Sequence, residues 1–208
     1  MTAPSPEHKI AQALLDIQAV GCNPQNPVTF KSGIVSPVYI DNRILPFHPN
    51  AWQTVIHAMK ETLEREKLAV DVIAGMETAG IPHSAALSFS TAIPSVFVRK
   101  TAKEHGKKRR VEGGDVSGKR VILVEDTVTT GGSSLQGVEA LREEGASVTD
   151  VLSIITYDFT ETRQAFENAG VRLHTLTSFP AILSLSTWST EDQAIVSAWL
   201  QNPTQWQT

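Results

Sequence analysis

The run Val121-Ile122-Leu123-Val124-Glu125-Asp126-Thr127-Val128-Thr129-Thr130-Gly131-Gly132-Ser133-Ser134 constrains this chain more than any other stretch. Four apolar residues in a row, the β-branched Val121 and Val124 among them, suit a central parallel strand buried on both faces. Two acids follow at the strand's end. Gly131-Gly132 then lets the backbone bend close to a ligand, and Ser133 or Ser134 is placed to cap a helix carrying Leu135, Val138 and Leu141. Free N–H groups and the helix dipole at such a turn make an anion site. Acids beside an anion site ask for a ligand with both hydroxyls and phosphate, and a phosphorylated ribose fits. No Lys follows the glycines as in a P-loop, and no G-x-G-x-x-G opens a helix.

The rest of the chain reads as a strand–helix alternation. Ser5-Pro6 predicts a helix start, with Ile10, Leu14 and Ile17 on one face to about Val20. The Pro- and Gly-broken segment Phe30–Arg43 predicts short extended pieces, with a hairpin edge. Its Lys31, Tyr39 and Arg43 read alone as a solvated lysine, a packed ring and a local pair of Arg43 with Asp41. Trp52, Val55, Ile56, Met59 and Leu63 form an amphipathic helix to about Lys67. Strands are expected over 70–75, 94–99, 148–157 and 171–175, beside the opening motif, with Val111-Glu112 as a further short one. Helices are expected from Ile81 and over 160–169, and Thr190-Glu191-Asp192-Gln193 reads as a capping box before a last helix with Ile195 and Trp199 inward.

This pattern gives an α/β fold, a doubly wound and mostly parallel sheet. At 208 residues it is one domain, with a core of about 46–178. The segments 1–45 and 179–208 lie outside the alternation and are expected to form a small lid. Ligands in such sheets bind beyond the carboxyl ends of the strands.

Composition narrows the function. With 41% apolar and 19% charged residues the chain is an ordinary globule, and one cysteine, Cys22, suits a reducing cytoplasm. No apolar run is long enough to span a bilayer, and no signal peptide opens the chain. A net charge of −4 argues against nucleic-acid binding. Residues 99–110 nevertheless hold seven of the eighteen Lys and Arg against one acid, Glu104. Within that cluster Lys107-Lys108-Arg109-Arg110 reads as a solvated loop tip, with no interleaved aromatic to stack on bases.

The motif run resembles the thirteen-residue signature of the type I phosphoribosyltransferases, which bind 5-phosphoribosyl-1-pyrophosphate (PRPP). With the segments 16–20, 30–43, 74–82 and 98–106, nearly the whole chain is similar to the orotate phosphoribosyltransferase family; Arg99-Lys100-x-x-Lys103-x-His105-Gly106 is the most discriminating of these. The resemblance implies transfer of phosphoribose from PRPP to N1 of orotate, with Mg²⁺ as cofactor. PRPP itself supplies most of the metal's shell, and no protein metal site is expected. It implies Arg99, Lys103, His105 and Asp126 as catalytic residues. PRPP would be held by these with Lys100, Glu125, Thr127, Val128, Thr129, Thr130, Gly131, Gly132, Ser133, Thr78 and Ala79. Orotate would meet Lys31, Tyr39, Ile40 and Thr129. A homodimer with shared sites is implied too. Many family members carry Asp-Arg after the fourth strand, the Arg gripping orotate, whereas this chain reads Thr156-Tyr157-Asp158-Phe159 and lacks that Arg, as another bacterial branch of the family also does. Transfer to another base, or a non-catalytic PRPP sensor, are the alternatives; the intact basic segment speaks against the sensor, which has no leaving pyrophosphate to neutralise.

Overall fold

The computed structural model describes residues 4–101 and 109–206. Helix α1 spans Pro6–Asp16, capped by Ser5, whose Oγ accepts the His8 N–H. Four short strands follow: β1 (Val20–Cys22), β2 (Val28–Thr29), β3 (Val35–Ser36) and β4 (Val38–Ile40). β1 pairs with β4 and β2 with β3, both antiparallel, so the Gly- and Pro-broken segment makes the expected extended pieces. A 3-10 turn (Asn42–Phe47) leads into α2 (Pro49–Arg65).

The alternation then unfolds as β5 (Val72–Met76), α3 (Gly80–Thr91), β6 (Ser95–Val98), β7 (Val111–Glu112), β8 (Arg120–Val128), α4 (Gly132–Glu143), β9 (Ser147–Thr156), α5 (Thr160–Asn168) and β10 (Arg172–Ser178). The six strands from β5 to β10 form one sheet in the order β10-β9-β8-β5-β6-β7. All neighbours are parallel except the edge strand β7, which pairs antiparallel with β6. The doubly wound reading of the sequence is therefore right.

Period-two alternation explains the two-layer cover. Ile73, Ile122 and Val124 share one core with α1, α2 and Leu87 of α3. Ala74, Leu123 and Val151 face the other way, with Val138 and Leu141 of α4 and Phe166 of α5. Each such fully buried Ile or Leu contributes about 1.5–3 kcal/mol from burial alone. Successive strands wind outward from β5 in one direction and from β8 in the other. The β5–β8 junction is thus the topological switch point, where a ligand crevice opens at the carboxyl ends.

After β10 come α6 (Phe179–Leu185), which the sequence pattern does not announce, and α7 (Thr190–Gln201). Helix α1 packs on α2, α6 and β10. Trp199 of α7 is wholly buried and donates its Nε1–H to the Val35 carbonyl at 2.9 Å, tying the last helix to β3. Three expectations need correction here. Val196, not Ile195, is the buried partner of Trp199. The cap of α7 is Ser189, one residue earlier than expected; its Oγ accepts the Asp192 N–H and donates to the Asp192 carboxylate. Gln193 instead donates to the Ser186 and Trp188 carbonyls and secures the approach to the helix. Among the described residues no helix is long and apolar enough to cross a membrane.

Candidate active site

Two helices begin at the switch point, and neither is closed by a side chain. α3 starts after Ala79 and α4 after Gly131, each without a side-chain cap bond. Their first-turn N–H groups and positive dipole ends are free for an anion. Ser133 and Ser134, the expected caps of α4, both fall inside its first turn, and the N-cap is Gly131. Glycine is required there. Its φ is +80°, and a Cβ would sit 2.5 Å from Phe166 Cε2, so α5 presses directly on this turn. A Cβ on Gly80 would meet the Val124 carbonyl oxygen at 2.4 Å, which shows how tightly α3 seats on β8.

The acids do not end the strand as expected. β8 continues to Val128, with Glu125 opposite Ser153 and Thr127 opposite Ile155 of β9. Glu125 and Asp126 therefore rise from a rigid ladder and are held without loop freedom. Asn42, fully buried, donates through Nδ2 to the Asp126 carbonyl and to Thr127 Oγ1, both at 3.0 Å. Thr162 Oγ1 of α5 donates to the Thr129 carbonyl at 2.6 Å and pins the turn from below.

Burial dominates the charges. Desolvation, with help from the neighbouring Asp126 charge and some relief from Lys100, pushes the Glu125 carboxyl up to about 8. Desolvation also raises Asp126, opposed by hydrogen bonds from Thr127 and by the charge of Arg43. The two acids thus tend to hold a proton, and ionised carboxylates there want donors such as hydroxyls or a cation.

The sign for stability follows from the direction. Glu125 binds its proton more tightly in the folded chain than in the unfolded one, where its value is 4.5. Its contribution is complete below that value and is lost as pH rises toward about 8. Glu125→Gln removes the loss. The variant should melt higher than the parent at pH 9, on the order of 5 °C, and nearly level with it at pH 5. Equal differences at both pH values would show that Glu125 is not desolvated. On the acid side, burial holds His83 down to about 4, so stability falls as pH drops through the ordinary 6.5 toward that value.

The cleft consists of two adjoining cavities of about 570 and 650 Å³ that share Phe30, Lys31, Lys100, Glu125, Thr127 and Thr129. The first is walled by the turn from Thr127 to Ser134, including Val128, Thr130, Gly131 and Gly132. The second brings Thr78, Ala79 and Asp126 from the sheet edge against Tyr39 and Ile40 of β4. Arg43, Glu77 and Tyr157 line it as well. Fifteen residues expected at the site thus line one cleft, from segments far apart in the chain.

Others of the expected set stand apart. Arg99 lies at the neck where the basic segment leaves and returns: its N–H donates to the Arg110 carbonyl at 2.8 Å. Its guanidinium sits 3.7 Å from the Glu112 carboxylate, along the β6–β7 edge. Lys103 and His105, like Lys107 and Lys108, fall outside the described residues. The solvated-tip reading fails for Arg110, whose guanidinium donates to the Arg99 carbonyl and to the Gln136 carbonyl of α4. Arg109 lies 3.4 Å from Glu144. Glu77 lies in the family-like segment 74–82 but not among the expected site residues; its carboxylate accepts the Lys100 N–H at 2.8 Å and fixes the start of the basic segment beside α3.

Known proteins agree with this geometry. A model of the phosphoribosyl transferase domain matches residues 44–171. Orotate phosphoribosyltransferase of Listeria monocytogenes is 40% identical over 204 residues, covering 96% of this chain and 98% of the relative. Among solved structures, Leishmania donovani UMP synthase superposes with a TM-score of 0.81 at 26% identity, over 97% of this chain. The chain spans 43% of that protein's length. Mycobacterium tuberculosis orotate phosphoribosyltransferase in complex with PRPP superposes with a TM-score of 0.67 at 25% identity, over 86% of this chain and 99% of the other. Sheet order, the uncapped glycine turn before α4 and near full-length similarity converge: the chain belongs to the orotate phosphoribosyltransferase family of phosphoribosyltransferases.

Proposed function

We propose that the protein joins N1 of orotate to C1 of the PRPP ribose, releasing pyrophosphate and forming orotidine 5′-monophosphate on the route to UMP. The observation that carries this reading is the joining of the open start of α4 to the Glu125–Asp126 pair in one cleft. An anion site beside two rigid carboxylates suits a sugar that carries a phosphate at one end and hydroxyls a few ångströms away.

The roles follow from the chemistry. The 5′-phosphate accepts N–H groups from Thr129 to Ser133 and hydroxyls from Thr129, Thr130 and Ser133. Glu125 and Asp126 accept the ribose hydroxyls and face the positive charge that builds on C1 as its bond to pyrophosphate oxygen lengthens. Thr78 and Ala79, at the start of α3, receive the departing pyrophosphate. Arg99, Lys100, Lys103 and His105 neutralise it, Arg99 by leaving Glu112 for the ligand. Excluding water at this moment protects PRPP from wasteful hydrolysis. Lys31, Tyr39, Ile40 and Thr129 hold orotate, under a lid built from the chain's two ends.

Mg²⁺ suits the donors present. Among the described residues no group of three His, Cys, Asp or Glu gathers to cage a metal. Glu125 and Asp126 offer hard oxygens beside the ribose, and PRPP brings the remaining ligands. When bound there, the metal would supply positive charge against the leaving pyrophosphate. The active unit is a cytoplasmic homodimer in which the segment from Arg99 to Arg110 serves the partner's core.

The test is turnover of PRPP by purified protein with a panel of bases, with and without Mg²⁺. Orotate should be consumed, and chelation should stop the reaction. Turnover of hypoxanthine or uracil, but not of orotate, would place the protein in another subfamily.

A further inference from the structure

Orotate carries a carboxylate on the ring carbon next to N1, and the cleft must bind that charge out of water. A desolvated carboxylate needs a cationic donor, best a planar fork that meets both oxygens.

The position after Asp158 does not supply that donor. Phe159 is 5% exposed and stacks on Tyr157, with ring centroids 5.6 Å apart. Tyr157 also stacks on Phe179 at 5.2 Å and meets Phe30 and Trp199, so this corner is an aromatic floor. The next cation along, Arg163, is paired to the Asp158 carboxylate through Nε and Nη2.

Three described cations line the cleft: Lys31, Lys100 and Arg43. Lys31 and Lys100 border both cavities and so stand at the junction with the phosphate turn. Arg43 borders only the second cavity, in company with Tyr39, Ile40 and Tyr157. It is also the one whose geometry is set in advance. Its Nε donates to Asp41 Oδ1 at 2.6 Å and its Nη2 to Asp41 Oδ2 at 2.9 Å. Asp41 additionally accepts the Arg43 N–H at 3.1 Å. The local pair expected from the sequence is therefore real. That pairing uses one edge of the guanidinium and orients the other, with Nη1 and the second Nη2 proton left over. The side chain is 72% exposed, hence open to a ligand.

Building on the reading of the cleft as an orotate site, we propose that Arg43, aimed by Asp41, grips the carboxylate of the base and sets the preference for orotate over uncarboxylated pyrimidines. Arg43 is the specificity residue and Asp41 a positioning residue. Tyr157 and Tyr39 supply ring surface for the flat base, and Lys31 approaches it from the junction of the two cavities.

The product and its decarboxylated analogue, orotidine and uridine 5′-monophosphates, differ only in this carboxylate, so their binding ratio isolates it. Calorimetric titration should find wild-type protein binding the carboxylated nucleotide more tightly. Arg43→Ala should weaken that nucleotide by about 10- to 100-fold and leave the other within a factor of about two, which also confirms folding. Arg43→Lys should recover part of the ratio, because it restores charge without the fork. Asp41→Asn should lower the ratio less than Arg43→Ala does. An unchanged ratio in Arg43→Ala overturns the proposal, as does a ratio that collapses in Lys31→Ala alone. Failure of wild-type protein to turn over orotate would instead sink the orotate reading itself.

Discussion

Asp126→Asn is expected to cost on the order of 2–4 kcal/mol of transition-state stabilisation, a fall of roughly 30- to 1,000-fold in kcat/KM. The substitution preserves shape. Asp126 lies in a nine-residue strand, its carbonyl receives the Asn42 amide, and its half-buried carboxylate sits beside Thr127. What is lost is charge, at the place where positive charge develops on the sugar. Stability should move the other way. Burial raises the acid's affinity for its proton, so a neutral amide relieves a desolvation cost at neutral pH, and the melting temperature should hold or rise. Loss of activity together with kept stability separates a catalytic charge from a fold-holding one. Near-normal kcat/KM would reduce Asp126 to a structural residue of the strand.

The second large effect concerns the shared site. Lys103→Ala should disable the basic segment and Asp126→Ala the core, so each homodimer alone should be nearly inactive. Equal amounts, dissociated and re-mixed at random, give half mixed dimers. If the segment of one protomer serves the core of its partner, each mixed dimer holds one intact site of two. About a quarter of wild-type activity should then return. A segment that serves its own core leaves every site damaged, and the mixture would stay as inactive as its parents. The neck between Arg99 and Arg110, tied by Arg110 to the Gln136 carbonyl of α4, fixes where the segment departs without deciding which core it serves.

Local pattern made much of this legible from sequence, and long-range packing hid the rest. Alternation along 121–124 sorts Ile122 and Val124 from Val121 and Leu123, as the two cores require. The Gly131 turn announced itself because few other residues adopt φ +80°. Asn42, by contrast, reaches across 84 residues to Asp126, and no spacing rule signals such a bond. Tyr157 gave only a strand-end aromatic; its role as cleft floor depends on Phe30, Phe179 and Trp199 arriving from other segments. Arg43 was readable as the partner of Asp41, but its place on the wall required the fold. The shift of the α7 cap from Thr190 to Ser189 reflects a choice between adjacent hydroxyls that sequence leaves nearly even.

The central claim is that the turn after β8 holds the 5′-phosphate while Glu125 and Asp126 hold the ribose. A crystal structure of the protein soaked with PRPP and Mg²⁺ tests it most directly. The account predicts phosphate oxygens within hydrogen-bond distance of the backbone N–H groups between Thr130 and Ser133, with both carboxylates on the ribose hydroxyls. PRPP bound with its 5′-phosphate at the start of α3, or with its ribose clear of Glu125 and Asp126, would contradict it.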